Sequence, residues 1–170
     1  SAFVAPEAPS WGTKVKRVAV LPFVNDSSRR HAGDIIALDF VRELIGAGGL
    51  EVVEPGRVRQ AILDTRLIQE GGVSLTQALL LRGILDVDML IAGSVSEYKD
   101  GTGGVPPIVE FTSTGIELGR GQVVWNARSY ATGRDRVVLF DIGQVRTAPA
   151  VARQEVRGVL REVIRRSERR

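Results

Sequence analysis

The sequence predicts an α/β domain on a mixed sheet, with a β-α-β-α-α-β start, a β-hairpin and a C-terminal amphipathic helix packed on the sheet. Two near-continuous apolar runs, RVAVLPFV at 17–24 and MLIA at 89–92, fit strands covered on both faces, and helical patterns lie between them. Two alternating β-rich segments joined by Gly119-Arg120-Gly121 follow. The C-terminal segment then sets Ala152, Val156, Val159, Leu160 and Val163 at helical spacing.

In chain order, the first strand runs into Asn25-Asp26-Ser27-Ser28, a polar turn that supplies N-cap candidates. The next helix is expected to bury Ile35, Leu38, Val41, Leu44 and Ile45 and to end at Gly46-Ala47-Gly48-Gly49. Residues 50–53 read as a short strand, and Glu54-Pro55-Gly56 turns into a helix carrying Val58, Ala61, Ile62 and Leu67. After Gly71-Gly72, Ser74 or Thr76 caps a helix holding Leu75, Ala78, Leu79, Leu81 and Leu85, and Asp86-Val87-Asp88 leads to the strand at 89–92. Strands separated by helices imply some parallel pairing. The hairpin spans 108–131, with Val109/Phe111 and Val123/Trp125/Ala127 toward the core, and its alternation slips before Ile116, which puts a bulge at Gly115. Residues 136–141 are expected to add a short strand.

The chain has 170 residues, enough for one substantial core. Residues 1–14 read as an N-terminal tether, 15–166 as the domain and 167–170 as a basic tail. No apolar run approaches the roughly 20 residues of a membrane-spanning helix. There is no cysteine, which excludes disulfides, thiolate zinc sites and cysteine nucleophiles. The net charge of +3 is unevenly spread: residues 146–170 hold eight Arg against three acids, leaving the remainder net negative. Basicity gathered at one end points to a local contact surface or a solvated tail, not to a protein wrapped in nucleic acid.

Catalytic chemistry finds little support. His31 is the only histidine, and a Ser27/His31/Asp34 grouping has no oxyanion site signalled beside it. The glycine clusters fit neither the dinucleotide fingerprint nor a P-loop and read as turns and helix ends. An anion site at the start of the helix after Ser28, beside Arg29 and Arg30, competes with simple capping. Asp86 and Asp88 precede a buried strand, where a turn-forming role is the commoner one. The most specific local pattern is Arg153, Arg157, Arg161 and Arg165 at successive i+4 positions, one face of the last helix. Such a face docks on acidic protein or is merely the solvated side. Trp11 and Trp125 are aromatic enough for an interface, but Trp125 alternates with core positions.

The segments RVAVLPFVNDS, DIIALDFVRELIGAGGLEVVEP, LDVDMLIAGSVSEY and GQVVWNARSYATG together resemble the superfamily of the curli-secretion lipoprotein CsgG. That group also includes the amino-terminal domain of TolB and the penicillin-binding-protein activator lipoproteins. The resemblance spans roughly residues 17–165 and rests on patterned segments. It implies a bacterial periplasmic domain, tethered to the outer membrane through a lipid anchor upstream of Ser1. It further implies action through protein contacts in envelope assembly or secretion. Channel-forming members insert transmembrane hairpins, but here the outward Glu110, Thr112, Asn126 and Arg128 are too polar for a lipid face.

The leading expectation is therefore a non-enzymatic envelope protein with no cofactor and no nucleic-acid partner. It recognises another envelope protein, or further copies of itself, through Arg153, Arg157, Arg161 and Arg165 or through Asn25, Asp26, Arg29 and Arg30. One alternative is a small-molecule or nucleotide sensor with a polar pocket near Asn25, Asp26 and Ser94. The other is a subunit of an oligomeric outer-membrane channel.

Overall fold

Apolar runs bounded by helices do build a mixed sheet. The structure, a computed structural model, describes residues 2–3, 15–67, 72–133 and 147–168. Its elements are β1 (Ala2–Phe3), β2 (Arg17–Val20), β3 (Val24–Asn25), α1 (Ala32–Ala47), β4 (Glu51–Val52), α2 (Pro55–Thr65), α3 (Leu75–Leu85), β5 (Met89–Lys99), β6 (Ile108–Glu117), β7 (Gln122–Thr132) and α4 (Ala148–Glu168). The strand order is β1-β7-β6-β5-β2-β4, with β3 also on β5. β2 is parallel to both β4 and β5, β3 is parallel to β5, and β5-β6-β7 is an antiparallel meander. The expected strand at 136–141 lies outside the described residues, as do Trp11 and most of the tether.

The single strand expected over 17–24 is two. Leu21 N–H still donates to Ile91 O at 2.8 Å, but Pro22 has no N–H, and Phe23 N–H turns to Gly33 O of α1 at 3.4 Å. That contact needs a bare α-carbon, because a Cβ on Gly33 would lie 1.9 Å from Phe23 O. Asp88 ties the start of β2 to β5: its Oδ2 accepts from the N–H groups of Lys16 and Arg17 at 2.8 and 2.9 Å. The hairpin is the outer part of the meander, since β5 continues to Lys99. Its bulge lies between Gly115 and Ile116. The Trp125 ring fills the space that a Cβ on Gly115 would enter, 2.2 Å from its atoms.

Each sheet face has its own core. On the first, α1 and α4 cover Val18, Val20, Ile91, Val95, Val109, Phe111 and Trp125. Phe23, Phe40 and Phe111 meet there with ring centroids 5.4 to 6.4 Å apart. On the second face, α2 and α3 cover Ala19, Leu21, Leu90, Ala92, Ile116 and Leu118. This cover stops short, and among the described residues no helix lies over the part of this face formed by the ends of β5, β6 and β7.

Two helices sit rotated from their expected faces. α1 buries Ile36, Ala37, Phe40 and Leu44 and leaves Leu38 and Ile45 exposed, with Ile35 and Val41 half-buried. Its N-cap is His31, in a left-handed conformation with φ 61° and no side-chain cap, so Ser28 caps nothing. α3 buries Ala78, Leu81 and Leu85 and exposes Leu75 and Leu79. Its N-terminus follows expectation, because Ser74 and Gln77 close a reciprocal capping box. α4 packs Val151, Ala152, Val156, Val159, Leu160 and Val163 and continues through Ser167 to Glu168.

Candidate interaction surfaces

The arginine face of α4 is not uniform. With Val156, Leu160 and Val163 pinned to the core, Arg153, Arg157, Arg161 and Arg165 are held on the outer flank. Arg157 reaches α1 with both arms of its fork, Nε to Glu43 Oε2 at 3.0 Å and Nη2 to Glu43 Oε1 at 2.9 Å. That contact lowers the Glu43 pKa. Arg165 and Arg166 both turn back to Glu162 on their own helix. Arg153 and Arg161 make no ion pair among the described residues and sit beside Asp39 and Glu43, respectively. The four-arginine stripe therefore divides into a helix-helix tie, a helix-surface pair and two cations with no ion pair among the described residues.

Beneath this flank lies a buried carboxyl. Asp39 of α1 is 5 % exposed. One oxygen accepts from Arg42 Nη1 at 3.2 Å and the other has no hydrogen-bond partner among the described residues. Burial raises its pKa to about 6 against the opposing pull of Arg42 and Arg153. Tyr98 of β5 is equally enclosed, its hydroxyl unpartnered, and burial followed by the Asp39 charge raises its pKa to about 12.

The loop after β3 is a closed structure. Asn25 Nδ2 donates to Arg29 O at 2.8 Å, and Asn25 Oδ1 accepts from Ser27 N–H and Oγ at 3.1 and 2.6 Å. Asn25 is thereby spent on its own turn, and Ser27 makes no bond to His31. His31 Nδ1 lies 3.5 Å from Asp34 Oδ2. Arg29 pairs with Asp100 at 3.3 Å, while Arg30 is exposed. Asp26 is anchored through its N–H to Val95 O at 2.9 Å and lines a groove on the second face of the sheet.

There the end of the α2-α3 layer and the bare strands enclose a groove of about 610 Å³. Its floor and walls combine Val24, Val73, Ile116 and Val123 with the hydroxyls of Ser94, Thr112 and Thr114, and Asp26 is the one charged group among the described lining residues. Ser94 and Thr112 hydroxyls bond at 2.9 Å. The groove lies where a polar pocket near Asp26 and Ser94 was expected, but Asn25 is not in it. Thr112 was expected to face outward and does, and Thr114 follows from the same alternation; Val123, expected toward the core with Trp125, is instead half-exposed in the groove wall, because the register shift at Gly115 and Ile116 puts Val124 in the core in its place. Beyond the groove the same face carries Asn126, Tyr130 and the Arg128–Glu110 ion pair.

Beside the groove stands α3, whose outer side sequence reasoning missed. Leu75, Leu79, Leu80 and Ile84 are 43 to 52 % exposed. The signal was in the sequence: LTQALLLRGIL is apolar around nearly its whole circumference and carries one charge, Arg82. Arg82 is engaged with Leu118 O at 3.0 Å. Leu75 reaches Gly121 in the β6-β7 turn, so the ridge runs into the groove wall at Val123.

Among the described residues no group of three or more His, Asp or Glu is placed to hold a metal, and no helix is long and apolar enough to cross a membrane. No family model matches the sequence. No curated protein matches it either. Solved structures do. PelC from Paraburkholderia phytofirmans, a dodecamer, superposes with a TM-score of 0.64 at 20 % identity over 96 % of this chain and 94 % of its own. Lipoprotein GNA1162 from Neisseria meningitidis gives 0.57 at 13 % identity over 88 % and 99 %. The LpoB C-terminal domain from Escherichia coli gives 0.47 at 12 % over 68 % and 82 %, too distant to build on. Neither CsgG nor TolB is shown by these comparisons. What they establish is that this chain has the fold of PelC and of lipoprotein GNA1162.

Proposed function

We propose that this chain is a non-catalytic protein of the bacterial envelope that works by protein contact and assembles into a homo-oligomer. The observation that carries this reading is the bare outer side of α3. Four large apolar side chains on a single short helix lose contact with water only when another macromolecule covers them. The fold supports the setting, because one solved relative is a lipoprotein and another a dodecamer. Attachment to the outer membrane by a lipid upstream of Ser1, a role in assembly or secretion, and recognition of a second envelope protein by Arg153, Arg161, Arg30 and Asp26 belong to the same proposal. A channel is not proposed, since the uncovered half of the sheet carries Glu110, Thr112, Asn126 and Arg128, which no lipid face accommodates.

The test is the solution mass by light scattering over a hundredfold range of concentration, with and without detergent. The expected result is one discrete multimer in both. A monomer at every concentration contradicts self-assembly, and a multimer that forms only in detergent contradicts the water-soluble contact proposed here.

A further inference from the structure

We infer that the α3 ridge of one copy seats in the sheet groove of another. This rests on the self-assembly reading above and names the surfaces that carry it. The ridge offers Leu79, Leu80 and Ile84 with no charge among them. The groove matches it, with aliphatic walls, neutral hydroxyls and, among the described residues, only Asp26 charged. Its volume is in the range of sites that enclose several side chains.

Size and charge decide the occupant. The four side chains of the α3 ridge, each 43 to 52 % exposed, are too few to supply alone the roughly 800 Å² that a stable protein interface takes from each partner. The contact therefore has to take in the β6-β7 turn and the groove as well, which suits a folded surface better than a short peptide. A membrane fits poorly. Arg153 and Arg161, which make no ion pair among the described residues, lie on the α4 side of the sheet and α3 on the other, so one bilayer cannot engage both. A second copy supplies both missing halves at once: each molecule carries an uncovered ridge and an unfilled groove of the same chemistry.

Complementation tests the inference. Leu80→Glu/Ile84→Glu removes the ridge and keeps the groove; Thr114→Glu/Val123→Glu fills the groove and keeps the ridge. All four positions are at least partly solvent-exposed, and thermal melting of each variant verifies folding. Each variant alone is expected to be monomeric, and an equimolar mixture to form a one-to-one pair held by the remaining intact contact. Wild type multimeric with either variant still multimeric overturns the ridge-in-groove contact and leaves self-assembly standing. Two monomeric variants that fail to pair also overturn it. A monomeric wild type sinks both readings, and wild type that sediments with phosphatidylglycerol vesicles while the ridge variant does not assigns α3 to lipid instead.

Discussion

The two sides of the sheet are built to different standards. On the α1-α4 side the aromatic trio and Trp125 fill the core, α4 runs the length of the layer, and Arg157–Glu43 ties the helices across their outer edge. On the α2-α3 side two short helices cover half the strands, one of them apolar on the outside as well as the inside, and a groove opens where they stop. The first side is closed by its own sequence. The second is less fully covered by the described residues, and this contrast is why the proposed contact is placed there.

Core truncation should separate the two sides most strongly. Trp125→Ala is expected to lose about 3–5 kcal/mol in urea unfolding, the usual cost of an aromatic cavity. Within α3 the contrast is sharper because neighbours in sequence are compared. Leu81→Ala, fully buried, should lose about 2–5 kcal/mol. Leu80→Ala, half-exposed, should change the stability of the isolated monomer by less than about 0.5 kcal/mol. Equal losses at 80 and 81 would mean that the outer face of α3 is already covered within one chain.

Asp39 is the flaw in the closed side, and its sign is definite. The folded pKa, about 6, lies above the ordinary 3.8, so folding binds a proton. The stability Asp39 contributes is fully present below pH 3.8, declines as pH rises, and is gone above 6. Asp39→Asn should therefore be more stable than the parent at pH 7, by about 1–2 kcal/mol after allowance for screening, with the gap closing by pH 4. Unfolding curves at the two pH values check this; a gap independent of pH would place the effect elsewhere than in titration. A small effect belongs to Arg157→Ala, which gives up the exposed ion pair with Glu43. Its stability loss should shrink in high salt.

Much of this architecture was legible in residues 17–132. The apolar runs, the slip at Gly115, the inward Trp125 and the capping Ser74 each follow from a local rule, and each stands in the structure. The helix faces did not follow. In α1 the rival sets Ile35/Leu38/Ile45 and Ile36/Phe40/Leu44 are both apolar, and only the meeting of Phe40 with Phe23 and Phe111 decides between them. In α3 periodicity fails because nearly every position is apolar, so the excess itself was the signal. The arginine stripe was legible as a pattern but not as a function. Whether Arg157 is free depends on Glu43, which is distant in sequence and adjacent only after α1 and α4 have packed. Asn25 likewise reads as a contact residue until its amide is seen closing its own loop.

The most direct test compares the solution mass of three proteins at one concentration: wild type, Leu79→Glu/Leu80→Glu on the open side, and Arg153→Glu/Arg161→Glu on the closed side. The expected result is a discrete multimer for wild type and the arginine variant and a monomer for the leucine variant. A multimer that survives the leucine changes and dissolves with the arginine changes would contradict the account, moving the interface to the side that the structure shows already closed.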